Sequence, residues 1–215
     1  MKLCLKTEMM KKKPSFNLEK NLLTQNIELV FGMDEVGRGS FAGPLVAAAV
    51  CFEIKHKWFK DLNDSKLLSA KKRELLSKLI LANAICFTEI IKVEEINQLG
   101  IGKCNQLVFE RLIKNILNKH PDKKIYFLID GNKQKIVDNN LDFIVKGDRK
   151  VISIAAASII AKVFRDKLMI NLDKIYKGYD FSKNKGYGSK FHQKAIKKLG
   201  LCKSHRTSFK LTKFL

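Results

Sequence analysis

Acidic residues are scarce in this 215-residue chain: Asp and Glu number 21 against 42 Lys and Arg. The formal net charge is +21 and the pI is near 9.8. That surplus favours a polyanionic partner, because neutralising phosphates releases condensed counterions. Arginine is scarce too, at six of the 42 basic residues. AT-biased coding yields the same abundance of Lys, Asn, Ile and Phe, so charge is only a weak pointer to nucleic acid. The five cysteines (Cys4, Cys51, Cys86, Cys104, Cys202) are odd in number, widely spaced and without a CxxC pair. That spacing argues against a disulfide framework or a zinc site and for a reducing compartment. Residues 1–13 lack the apolar centre of a secretory signal. The longest apolar run, residues 45–52, is far too short to cross a bilayer. A cytoplasmic, monomeric protein with no membrane partner is the expectation.

The length suits one large domain, and no internal repeat is visible. Residues 1–25 read as a basic leader, a mobile arm or a short helix, with Lys11-Lys12-Lys13 closed by Pro14. Residues 26–215 read as a single domain. Two strands over residues 27–54 flank a glycine-rich corner. Ser69 is placed to cap a helix running to about Leu81. A third strand fits residues 84–93, and the spacing of Leu107, Phe109, Leu112, Ile113 and Leu117 predicts a helix over 103–118. Short strands fit 125–129 and 141–145, with a helix over 153–172, a loop over 178–189 and a last helix over 191–199. Trp58-Phe59 reads as an apolar anchor. Strands alternating with helices indicate an α/β fold with a mixed sheet.

Because acids are few, their positions carry weight. Asp34 and Glu35 close one apolar run, Asp130 closes another before Gly131, and Asp148 precedes a helix. Strand ends gathered on one side of a sheet are where α/β folds place ligand sites. Carboxylates brought together repel, and burial raises their pKa values further. Hard divalent cations remove that penalty, and an all-oxygen set matches Mg²⁺ or Mn²⁺ rather than zinc. Two such ions about 4 Å apart can activate water and stabilise a leaving oxygen in phosphodiester cleavage. Adjacent strand residues point to opposite faces, so Asp34 and Glu35 can share a site only if the chain bulges at Glu35. Taken singly, Asp130 is equally a turn aspartate and Asp148 a residue at a helix start. Lys162, Arg165 and Asp166 either face nucleic acid or solvate a surface. His192 and His205 read as structural or substrate-binding groups.

The motifs together resemble the type 2 ribonucleases H, the bacterial ribonuclease HII family. The resemblance rests on Asp34-Glu35-Val36-Gly37-Arg38-Gly39 with Ala42-Gly43-Pro44, and on Asn63-Asp64-Ser65-Lys66 with Leu68-Ser69. It continues in Leu128-Ile129-Asp130-Gly131-Asn132, in Lys146-Gly147-Asp148 and in the segment SIAAASIIAKVFRD from Ser153 to Asp166. Gly186-Tyr187 with His192, and His205-Arg206 with Ser208-Phe209, complete it. It implies an RNase H-like fold, a central mixed β-sheet flanked by helices with a C-terminal helical extension. It implies cleavage of RNA in RNA–DNA hybrids and incision 5′ of single ribonucleotides in duplex DNA, leaving a 3′-hydroxyl. Asp34, Glu35, Asp130 and Asp148 become ligands of divalent ions, Mn²⁺ or Mg²⁺, two during catalysis. Gly37, Arg38 and Gly39 become the loop that senses the ribose 2′-hydroxyl, Tyr187 stacks on the adjoining sugar, and Lys66 contacts phosphate. Departures from the family pattern fall at Ser40-Phe41, Leu67, Gly100 and Gly188-Ser189, none of them a carboxylate. A non-catalytic nucleic-acid binder and another type of ribonuclease H are the competing readings.

Overall fold

The computed structural model describes residues 13–136, 140–211 and 214. Five strands form one sheet in the order β3-β2-β1-β4-β5: β1 (Leu29–Val36), β2 (Leu45–Cys51), β3 (Ile85–Ile91), β4 (Ile125–Asp130) and β5 (Leu141–Ile144). β1, β2 and β3 pair antiparallel, whereas β4 and β5 run parallel to β1. The sheet is therefore mixed, as expected. Its central strands are apolar on both sides because helices cover both faces. On one face α3 (Val93–Lys119) packs on Phe31, Met33, Ala47, Phe127 and Ile129. On the other lie α2 (Ala70–Asn83) and the long α4 (Ile152–Ile175).

α4 is mainly Ile and Ala in its first half, a composition that brings its backbone against β1. Gly32 sets the limit of that approach. A Cβ there would lie 2.2 Å from the Ser153 carbonyl carbon and 2.3 Å from the Ile154 nitrogen. The close contact aims the start of α4, and Ser158 one turn further on, at the C-terminal end of β1. Beyond α4, α5 (Phe181–Asn184) and α6 (Lys190–Leu199) fold back around Ala42, Met169, Tyr179 and Phe181. This is the C-terminal helical extension, and it ties the segment after Gly186 to the corner after β1.

Several expectations change. Residues 1–12 of the leader lie outside the described residues. Of its two expected forms, the remainder takes the helical one, packed rather than mobile. α1 (Asn17–Leu23) buries Glu19, whose Oε1 accepts from the Ser153 backbone N–H and hydroxyl at 2.8 and 2.9 Å. That carboxylate meets N–H groups at the N-terminus of α4 that have no partner within the helix. The helix expected from 103 begins ten residues earlier, at Val93, and is broken at Gly100, where φ is +76°. Ser69 caps α2 as expected, accepting from the Lys72 N–H at 3.2 Å, although the helix runs on to Asn83. The loop at 178–189 contains α5.

Candidate active site

β1 does not bulge. Its register with β2 is regular through Asp34↔Ala48, Glu35↔Ala47 and Val36↔Val46. Asp34 and Glu35 therefore keep opposite faces, contrary to expectation. No bulge is needed, because β4 ends one residue after pairing with Met33 and leaves the strand end open to both sides. Asp34 lies on the α4 side, buried, where the Ser158 hydroxyl favours its charged form. Glu35 lines two cavities, of about 420 and 470 Å³, one on each side of the strand end. Both cavities also contain Arg38, whose guanidinium stands 3.9 Å from Glu35.

The last residue of β4 is Asp130. Its Oδ1 accepts the Gly147 N–H at 2.6 Å, which a left-handed turn at Lys146 (φ +57°) delivers. The same turn opens the 3₁₀ turn Gly147–Arg149 and buries Asp148. The structure thus brings Asp34, Glu35, Asp130 and Asp148 to one end of the sheet. Lys66 belongs to the same neighbourhood, lining the larger cavity with Gly37, Gly39 and Tyr187. Gly37, Arg38 and Gly39 follow β1 directly, and Tyr187 leans over Arg165, its ring 5.6 Å from the guanidinium carbon.

The electrostatics follow from that gathering. Burial, then the charges of Glu35 and Asp130, push Asp34 well above the usual carboxylate range. Burial raises Glu35 to about 7, with Arg38 opposing it and Asp130 adding to it. Burial, followed by the charges of Asp64 and Asp130, raises Asp148 to about 6. Asp130 is raised by burial, which the Gly147 N–H partly offsets.

Asp64 was not marked as a site residue, although it stands in the quoted Asn63-Asp64-Ser65-Lys66 segment. It is buried, accepts from the Lys66 N–H at 3.0 Å and pairs with Arg149 at 2.9 Å. Burial raises its pKa, but those two partners outweigh burial and hold it low. Its charge is among those that raise Asp148, and the sequence signal for it was its place in the segment that ends at Lys66. Arg165, expected at a surface, is fully buried. It donates to the carbonyls of Pro44 (2.8 Å), Lys185 (2.8 Å) and Ala42 (3.1 Å). Arg206 is equally buried and donates to the carbonyls of Gly43 (2.9 Å) and Arg38 (3.1 Å). These two guanidiniums clamp the corner after β1 to the C-terminal extension. His192 and His205 are buried behind it, Nε2 to Nε2 at 3.0 Å, and a ring nitrogen of His192 bonds the Tyr187 carbonyl at 2.9 Å.

A sequence model described as Ribonuclease HII matches residues 31–212. The chain belongs to the ribonuclease HII family. The ribonuclease HII of Fusobacterium nucleatum subsp. nucleatum is 45% identical over 183 residues, 84% of this chain and 85% of that protein. That of Borreliella burgdorferi is 46% identical over 188 residues, 85% of this chain and 99% of that one. The family consists of nucleases, hydrolases acting on phosphodiester bonds. Solved structures share the fold. The ribonuclease HII of Archaeoglobus fulgidus, determined in a complex with PCNA, superposes with a TM-score of 0.70 at 23% identity, over 85% of this chain and 95% of that one. A Bst ribonuclease HIII solved with Mn²⁺ superposes at 0.67 with 20% identity, over 89% of this chain and 70% of that one. No helix among the described residues is long and apolar enough to cross a membrane.

Among the described residues, no three His, Cys, Asp or Glu side chains are closed into a metal-binding cluster. The donor chemistry nonetheless fits hard divalent ions, since the set is all oxygen and three of its members are raised partly by one another's charge. The fit has a measurable consequence. Glu35 and Asp148 hold protons in the folded chain that the unfolded chain has already released, between their ordinary values and about 7 and about 6. The folded state binds more protons there, so metal-free stability falls as pH rises through that window. A cation bound only by the folded, deprotonated site offsets that loss. Mg²⁺ should therefore raise Tm, relative to EDTA, more at about pH 8 than at about pH 5. An equal or smaller effect at the higher pH would remove the raised carboxylates from the ion's ligands.

Proposed function

We propose that this chain cleaves the RNA strand of RNA–DNA hybrids and incises 5′ of single ribonucleotides in duplex DNA, leaving a 3′-hydroxyl. The observation that carries the reading is the junction at the end of β1. The glycine-flanked corner Gly37-Arg38-Gly39 emerges from the carboxylate pair itself, and Arg38 faces Glu35 across 3.9 Å. A group that reads a 2′-hydroxyl there stands next to the groups that prepare hydrolysis. The hydroxyl is what separates RNA from DNA at a given nucleotide.

In this reading Asp34, Glu35, Asp130 and Asp148 hold two divalent ions, Mg²⁺ or Mn²⁺. When bound, such ions supply Lewis-acid activation of water and stabilisation of the leaving oxygen. The chain's own groups do the rest. Asp34 Oδ1 accepts the Glu35 N–H at 2.8 Å, and the Ser158 hydroxyl, 2.9 Å from that of Ser65, opposes the rise in its pKa. Asp130 is fixed by the Gly147 N–H. Arg38 and the N–H groups of residues 37–39 meet the ribose, Tyr187 offers a ring face to the adjoining sugar, and Lys66 contacts a phosphate. The Arg165 and Arg206 clamp keeps the reading corner and Tyr187 at a constant separation. The surplus of positive charge draws in the duplex. The partner is therefore nucleic acid, bound by a monomer acting without a membrane.

The test is a duplex carrying one ribonucleotide, incubated with Mg²⁺ or with Mn²⁺. A cut on the 5′ side of the ribonucleotide is expected in at least one metal. Binding without a cut in either would make the chain a binder rather than a nuclease. A requirement for several consecutive ribonucleotides would place it with a different type of ribonuclease H.

A further inference from the structure

Arg149 follows Asp148 directly and half of its side chain is exposed, yet it is not a free surface arginine. Its Nε and Nη2 both donate to Oδ2 of Asp64, at 3.3 and 2.9 Å. Asp64 is buried, and its other oxygen accepts the Lys66 N–H at 3.0 Å. The segment that carries Asp64 is anchored as well. The Ser65 hydroxyl lies 2.9 Å from that of Ser158 on α4, and Arg73 of α2 donates to the Ser65 carbonyl at 2.9 Å. A buried carboxylate needs a partner, so Arg149 is held where Asp64 puts it. A fixed acid thereby sets the direction of a guanidinium at the rim of the site.

The pairing uses one edge of the guanidinium. Among the described residues its Nη1 has no hydrogen-bond partner, so donors remain on a group that is always charged. An arginine oriented in this way suits phosphate, because the fork is planar and little conformational freedom is left to lose on binding. Lys66, Lys146 and Lys150 are exposed nearby in the same two segments, and these cations outnumber Asp64. The place is the substrate's own. The charges of Lys66 and Arg149 both act on Asp148, and Lys66 lines the 470 Å³ cavity with Asp34 and Glu35. We propose that Arg149, aimed by Asp64, binds a backbone phosphate of the duplex beside the scissile linkage, on the Asp148 side of the carboxylates. The inference rests on the nuclease reading above and adds a phosphate subsite to it. Arg149 touches the substrate, and Asp64 is a positioning residue that acts through Arg149 and Lys66.

Binding is measured with cleavage switched off, in EDTA, on an RNA–DNA hybrid at several salt concentrations. Arg149→Gln should bind about tenfold more weakly at about 0.1 M salt, and the slope of log K against log salt should flatten by about one. Removing the arginine alone leaves Asp64 buried and unpaired, which destabilises the fold. The double variant Asp64→Asn/Arg149→Gln removes both charges, should melt near the wild type, and should show the same two losses. A second readout locates the phosphate. A single uncharged methylphosphonate linkage is moved along each strand past the cleavage point. One position should weaken wild-type binding about as much as the double substitution does, and should cost the double variant nothing further. A double variant with the slope and affinity of the wild type overturns the proposal, since Arg149 would then only neutralise Asp64. So does a scan in which every linkage that matters to the wild type matters equally to the double variant. A wild type that neither binds the hybrid in EDTA nor cuts it with Mg²⁺ or Mn²⁺ overturns the nuclease reading itself, and the two failures are thereby told apart.

Discussion

Asp130→Asn should lower turnover by at least about a hundredfold, since even outer-sphere partners of metal ligands cost ten- to a hundredfold when removed. The substitution is nearly isosteric, and the amide oxygen can still accept the Gly147 N–H that Asp130 now holds at 2.6 Å. The fold should survive. The charge does not, and Asp130 is among the groups that raise Asp34, Glu35 and Asp148. Removing it relieves repulsion, so in EDTA the variant should melt above the wild type near neutral pH, with a shallower fall in stability as pH rises. Mg²⁺ should stabilise it less than it stabilises the wild type. Hybrid binding without metal should persist, because one negative charge has left the groove. Loss of activity joined to a gain in metal-free stability distinguishes a functional carboxylate from a structural one. Retained turnover, or a destabilised apoprotein, would remove Asp130 from the site.

The sequence made the carboxylates legible because acids are rare in it and because three of them sit where apolar runs end. The sheet and its mixed character were legible from the order of elements, strands that come first and then alternate with helices. What escaped was whatever depends on partners distant in the chain. Glu19 looked like part of a loose leader, and nothing near it in sequence announces that it bonds the start of α4. Arg165 sits in a helix among Lys162, Asp166 and Lys167, the pattern of a solvated face. Its burial is decided by the carbonyls of Ala42 and Pro44, more than a hundred residues away. Glu35 was misjudged from a rule applied too locally. Alternation forbids two neighbours from sharing a face, but at a strand end where the adjoining strand stops, two faces open onto one space.

Gly37→Ala is expected to damage both the fold and cleavage. Gly37 has φ +99°, a conformation L side chains rarely adopt, and a Cβ there would lie 2.2 Å from Arg165 Nε and 2.8 Å from its Cδ and Cζ. An exposed arginine would swing away. Arg165 is fixed by three carbonyls and has no solvent to move into. Backbone strain and overpacking together cost roughly 2–5 kcal/mol, a fall in Tm on the order of 10 °C for a domain of this size. The displaced corner carries Arg38 with it, so cleavage should drop about a hundredfold or more, as when a reacting group is misplaced by an ångström. Gly39→Ala supplies the contrast. Among the described residues nothing lies within 4 Å of a Cβ at Gly39, and its φ is not positive, so that variant should melt with the wild type. Any loss of cleavage at Gly39 would then report the approach of substrate, whereas loss at Gly37 reports the clamp beneath the loop. If Gly37→Ala melts and cuts like the wild type, the buried arginine does not fix the corner, and the coupling between the corner and Tyr187 argued from it is wrong.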